Sequence, residues 1–292
     1  MARYWLKCVV LVVLLLHPSV HALDDIHYQL NTEIRPGEKP FLLTALEKAL
    51  EYTQADYGNF QLTPMYTTEN FPKSRLIRLV QQEKLSVIWG VPNKAYEKEL
   101  QAIYIPLYKG TQGYRIFLIR QNEQARFNKI TNLSQLKSLI AGQGYGWSDV
   151  TILEHNNFKV LQGNSDNLVR MLESRRFDYY PRGLHEPWKE LKPNRQIKVE
   201  STIALHYPLP IYFFVSKENR RLQQRLNIGL DALFDNGEYD RLFYNHPRYK
   251  VLLKKANLAN RKIYQLDNPT LSAESKAILH KKKYWLDTSI EY

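Results

Sequence analysis

An apolar strand that feeds straight into a long amphipathic helix is the strongest constraint in this sequence. It occupies residues 207–243, YPLPIYFFVSKENRRLQQRLNIGLDALFDNGEYDRLF. Residues 210–215 form a continuous apolar run of the kind that is buried on both faces of a sheet. Ser216 offers an N-cap oxygen. Leu222, Leu226, Leu230, Leu233 and Phe234 then recur at three- and four-residue steps, an apolar stripe along one helix face. Arg220, Arg221, Gln224, Arg225 and Asp231 fall on the polar face, and Gly237 can close the helix in a left-handed conformation.

Upstream, the pattern alternates between periods of two and of about 3.6. A strand is expected at 26–30 and a helix over Leu42, Leu43, Leu46, Ala49 and Leu50. A strand at 60–66, a helix after Pro72 and a strand at 85–89 follow. That βαβαβ order places helices on the faces of one sheet. A second set begins with the apolar run 114–120. It continues as helix 133–138, strand 139–142, helix 148–155, strand 158–161, helix 165–174 and strand 177–180.

Three blocks, in order, resemble the family 3 extracellular solute-binding proteins. They are GTQGYRIFLIR at 110–120, the pair AGQGYGW at 141–147 and RMLESRRFDYYPRGLHE at 170–186, and the YPxPxYFxVSK strand at 207–217 with its Gly-x-Tyr-Asp-x-Leu-Phe close at 237–243. The resemblance implies a two-lobed α/β fold of the type II periplasmic-binding-protein kind. Residues 23–113 plus 216–292 would make a discontinuous first lobe, and 114–215 a second lobe that includes two crossover strands. The two crossings form a hinge that closes the lobes around a ligand. The stretch at 256–269, ANLANRKIYQLDNP, resembles the C-terminal wrap of a subset of the family and is expected on the first lobe.

Residues 1–22 read as a cleavable signal peptide: Arg3 and Lys7, an apolar core from Cys8 to Leu16, and a Val20-His21-Ala22 end. The apolar run is about half of the ~20 residues that span a bilayer. The one cysteine, Cys8, lies inside this leader, so the exported chain has no disulfide, thiolate metal site or cysteine nucleophile. The roughly 270 residues that remain exceed what one core usually holds, which favours two lobes. The formal charge of +12 is spread along the chain instead of forming one basic helix, so with export it argues against a nucleic-acid partner. Lys281, Lys282 and Lys283 read as solvated charge.

Ligands of open α/β sheets collect at the carboxyl ends of strands. Trp89 and Gly90 end one strand there, and residues 143–147 join another to a helix. Gly144 and Gly146 let backbone approach a ligand, amides near 145–147 offer hydrogen bonds, and Tyr145 and Trp147 are candidate walls. Trp188 reads as packing behind the loop. By resemblance, Arg115 matches the arginine that grips a ligand carboxylate, for which a guanidinium fork is suited. Its removal is then expected to weaken ligand binding without unfolding the chain. The family's ammonium-binding aspartate falls at Gly183, a departure that leaves three readings, of which two are that Glu186 substitutes from one turn away or that Arg182 adds positive charge for an acidic ligand. A third is that Arg182 and Glu186 pair with each other and shape the loop.

His185-Glu186 lacks the second histidine of HExxH, no G-x-S-x-G elbow is present, and no metal or organic cofactor is implied. The function expected is capture of a small polar ligand, anionic or amino-acid-like, by a monomeric periplasmic protein that delivers it to an ABC-type permease. The alternatives are a partnership with a membrane sensor ectodomain and a dehydratase-like use of Glu186 on the same fold.

Overall fold

The computed structural model describes residues 23–31, 39–69 and 71–290; the expected signal peptide lies outside them. The first lobe is built on a sheet that orders its strands Phe60–Thr67 (β2), Asp24–Asn31 (β1), Val87–Gly90 (β3), Tyr212–Val215 (β11) and Gln101–Ile103 (β4). β1 runs parallel to β2 and β3, while the returning β11 is antiparallel to both its neighbours. The helices Phe41–Tyr52 and Arg220–Asp235 pack together over this sheet. Their apolar stripes are the ones read from the sequence, with Leu46, Ala49, Leu226 and Leu230 fully buried.

Two local expectations change. The helix cap is Asn219, whose side chain accepts the Leu222 amide at 3.0 Å, because the Ser216 hydroxyl is taken by the Glu218 amide within the preceding turn. Arg225 is not on a solvated face but fully buried. It pairs with Asp24 at 2.6 Å and donates to the Leu50 and Gly58 carbonyls, so a charge the helical wheel assigns to water instead ties the helix to the first strand. Gly237, at φ 74°, does close the helix.

The second lobe's main sheet orders Lys262–Gln265 (β12), Ile203–His206 (β10), Tyr114–Arg120 (β5) and Tyr180–Gly183 (β8), with Ile197–Val199 (β9) also on β5. A parallel pair, Ile140–Gly144 (β6) and Lys159–Gly163 (β7), lies beside it. β5 is buried along its whole length, as the apolar residues 116–119 predict, and its two arginines, Arg115 and Arg120, are buried with them. The strand expected at 177–180 begins three residues later. Asp178 is held by the Ile140 amide and Arg126, and Arg120 takes the Phe177 carbonyl, so the chain joins β5 only from Tyr180 onward.

The two expected crossings lie between β4 and β5 and between β10 and β11. They touch: the Tyr207 amide donates to Gly113 O at 3.2 Å, and the Leu107 amide to Ile211 O at 2.9 Å. A Cβ on Gly113 would sit 1.9 Å from the Tyr207 carbonyl oxygen, so only glycine allows this approach.

The C-terminal stretch departs from expectation. Instead of packing on the first lobe, its strand β12 pairs in parallel with β10 and extends the second lobe's sheet. Only beyond it does the chain return to the first lobe, where Ser272 bonds Glu97, Tyr284 bonds Asp231 at 2.5 Å, and Lys283 meets Asp235. The tail is therefore a third crossing. Among the described residues, no helix is long and apolar enough to cross a membrane.

Candidate functional site

A cavity of about 300 Å³ opens in the second lobe where β5, β6, β8 and the helix Ser148–His155 converge. Arg115, Trp147, Arg182 and Glu186, four of the residues singled out in the sequence, line it together with Gln143 and Asp149. Register brings them together, since β5 pairs antiparallel with β8 and sets Arg115 opposite Gly183.

Arg115 is buried and its fork is already filled. Nε and Nη2 meet the two carboxylate oxygens of Asp149, the latter contact at 3.2 Å, and Nη1 donates to the carbonyls of Gln112 (2.6 Å) and Tyr114 (3.1 Å). Four of its five N–H groups are thus engaged within the protein. Tyr207 donates its hydroxyl to the same Asp149 carboxylate, and its ring lies 4.8 Å from the guanidinium carbon. Burial alone would raise the Asp149 carboxyl, but Arg115, the Tyr207 hydroxyl and Arg182 together hold it below the usual range.

Arg182 is held by charge and not by a filled fork. It lies 3.3 Å from Glu186 and 2.5 Å from Glu190, the second contact out of line for a hydrogen bond, and its guanidinium stacks over Trp147 (5.0 Å) and Tyr180 (4.8 Å). Burial, more than Arg182 offsets, pushes the Glu190 carboxyl up. Glu186 also accepts the Gly183 amide at 2.6 Å. A Cβ on Gly183 would lie only 3.1 Å from Glu186 Oε2, so the carboxylate of residue 186 stands where a side chain at 183 would begin.

Gln143 supplies the free group. Its side chain is fully buried, and its Nε2 faces Pro181 O at 3.5 Å, which turns Oε1 away without a protein partner. An unpaired buried carbonyl costs about 1–3 kcal/mol.

The other predicted residues lie elsewhere. Tyr145 is 69% exposed and Gly146, at φ 71°, faces open space, so neither walls this cavity. The amides of Tyr145 and Trp147 already donate to Gly163 O and Gly144 O. Trp89 lines a separate cavity of about 300 Å³ in the first lobe, at the carboxyl ends of β1 and β3, with Tyr108 and Arg248. His185, which follows β8, feels charges from both cavities. Burial first, then Lys189, Arg248 and Arg115, depress the His185 pKa against the pull of Glu186. Trp188 packs against the largest apolar cluster, as its packing role predicts.

Sequence reasoning passed over Asp149 and Arg248. An acid in a first helical turn and a base near a helix start carry no signal that separates them from ordinary surface residues. Gln143 stands inside the glycine-rich block but draws attention only once its burial is known. Among the described residues, no cluster of His, Cys, Asp and Glu is arranged to hold a metal ion.

No protein-family model matches the sequence, and no curated protein does. Solved structures do. The probable amino-acid ABC transporter extracellular-binding protein ytmK of Bacillus subtilis is 13% identical, covers 76% of this chain and 97% of its own, and superposes with a TM-score of 0.53. The VFT2 domain of Bordetella pertussis BvgS, in a double-mutant form, is 15% identical over 76% of this chain and 91% of its own, with a TM-score of 0.48. A Salmonella typhimurium periplasmic binding protein with high arginine specificity is 15% identical over 75% of this chain and 97% of its own, at 0.41. With its sheets, crossings and strand order, the chain has the two-lobed α/β fold of the periplasmic binding proteins.

Proposed function

We propose that the protein is a solute-binding protein that works outside the cytoplasm and captures one small polar molecule in the second-lobe cavity. The observation that carries this reading is the convergence of Arg115, Trp147, Arg182 and Glu186 on a space where the buried Gln143 oxygen has no partner. The Bacillus subtilis neighbour of the same fold is named as a binding protein of an amino-acid transporter, and a comparable role here means delivery to a membrane permease. A sensor ectodomain is the other candidate partner. Co-purification from membranes, with a permease or with a sensor, separates the two.

The Glu186 carboxylate lies beside Gly183, the position where the resemblance puts an ammonium-binding carboxylate. Its bonds to the Gly183 amide and Arg182 hold it in the loop, and no feature of the cavity favours the dehydratase alternative.

A thermal-shift screen of amino acids, amines, dicarboxylates and aromatic acids tests the reading, because a ligand that binds only the folded state raises its apparent stability. At least one solute class is expected to raise Tm, and Trp147→Ala to abolish the shift. If no small solute stabilises the chain, or if the shift survives loss of Trp147, the cavity is not a capture site.

A further inference from the structure

We infer that Asp149 occupies the place a ligand carboxylate would take, so that this site accepts a small organic amine with no carboxylate beside the amino group. The inference rests on the solute-binding reading above and narrows it to a ligand class.

The fork of Arg115 is closed by the two Asp149 oxygens, and the rest of its donors go to backbone carbonyls except one N–H. Arg182 is ion-paired with Glu186 and Glu190, so two carboxylates already face its guanidinium. An incoming carboxylate therefore finds the Arg115 fork closed, and at Arg182 it meets the repulsion of two carboxylates already beside the guanidinium. The charges lining the cavity also cancel, two arginines against Asp149 and Glu186, so no net field draws in an anion.

Apart from Arg182 Nε, which the Glu190 carboxylate covers at 2.5 Å, the unpaired capacity facing the cavity is acceptor capacity. Gln143 Oε1 is buried without a partner. Glu186 uses one oxygen on the Gly183 amide and the other on Arg182, and a carboxylate has about four lone-pair sites, so roughly half its capacity is left. Acceptors call for donors. A protonated amine carries three N–H groups and a positive charge, and it meets both needs: it satisfies the orphaned carbonyl and faces a carboxylate that one arginine only partly neutralises.

The test pairs each amine with the amino acid from which it differs by one carboxylate: histamine with histidine, agmatine with arginine, cadaverine with lysine. Calorimetry on the full exported chain should show at least one amine bound tenfold or more tightly than its parent. In Asp149→Asn, which halves the occupation of the Arg115 fork, the parent should gain at least tenfold relative to its amine. Gln143→Met keeps the side-chain volume and removes the orphan oxygen. It should lose tenfold or more of the amine affinity while its unfolding midpoint stays level or rises, so the outcome does not depend on whether the Asp149 variant folds.

A parent amino acid that binds the wild-type chain as tightly as its amine would overturn the inference and leave the solute-binding reading standing. The inference alone also fails if Gln143→Met binds the amine unchanged, or if only a neutral or anionic solute binds with dependence on Trp147. If no solute of any class binds, both fail together.

Discussion

At the scale of single residues, the Arg115–Asp149 pair changes what a substitution is expected to do. A guanidinium that simply awaited a ligand would be removable at little cost to stability. Here its loss strands the Asp149 carboxylate and the Tyr207 hydroxyl in a buried site, and breaking one side of such a pair costs about 3–5 kcal/mol. Arg115→Ala should therefore lower the urea midpoint strongly, and Arg115→Met with Asp149→Leu should recover much of that loss. A fall of under about 1 kcal/mol in the single variant would show that the pair is not buried as described. The Asp149 pKa lies below its unfolded value, so the pair's contribution is complete above about pH 3.9 and is lost as pH falls through the depressed folded value. The sequence marks Arg115 as special through its place in the GTQGYRIFLIR block. It does not reveal the partner, because Asp149 is 34 residues away and only the docking of the helix Ser148–His155 against β5 brings them together.

At the scale of elements, the crossings and the C-terminal strand carry the measurable consequences. Gly113→Ala places a methyl 1.9 Å from the Tyr207 carbonyl oxygen, and rigid backbone cannot yield as a side chain does. Overpacking of this kind costs about 1–3 kcal/mol, readable as a lower thermal midpoint. His206 packs its ring, tilted, against Tyr114 at 4.2 Å and bonds Gln265 at 2.6 Å, which fastens β10 to β12. Burial, helped by Arg115 and opposed by Gln265, lowers the His206 pKa, so the folded state favours the neutral ring. Its contribution is present above about pH 6.5 and fades as pH falls below that value, because the unfolded chain takes up the proton first. His206→Leu should flatten the stability profile as pH falls below about 6.5, and an unchanged slope would remove His206 from the account. Helices 133–138 and 148–155 and strand 114–120 were legible to the residue because period and burial agree there. The partner of 262–265 was not, since its half-buried pattern fits an edge position on either sheet, and only the parallel register with β10 decides it.

At the scale of the whole molecule, two features favour a closed arrangement of the lobes before any ligand arrives. The largest apolar cluster is shared between them: Phe213 and Leu107 of the first lobe and its crossing belong to one core with Tyr114, Ile116, Leu184 and Ala204 of the second. Separating the lobes exposes part of that surface to water at about 25 cal/mol per Å². The tail adds a mechanical tie, because β12 is fixed in the second lobe's sheet while Ser275 meets Tyr212, Trp285 covers Gly110 and the Leu286 amide bonds Lys109 O on the first lobe and its crossing. Any hinge motion has to carry or break these contacts. Cys8 is the one cysteine of the sequence, so in a Cys8→Ser background spin labels at Glu51→Cys and Glu154→Cys, exposed positions on helices of opposite lobes, report the separation directly. The unliganded chain should give one narrow distance distribution. A chain ending after Pro269 keeps β12 but loses the anchor on the first lobe, and its distribution should broaden toward longer distances. A broad distribution in the intact chain, or none gained on truncation, would mean that the tail rides on the lobes without restraining them, and that ligand binding alone sets their closure.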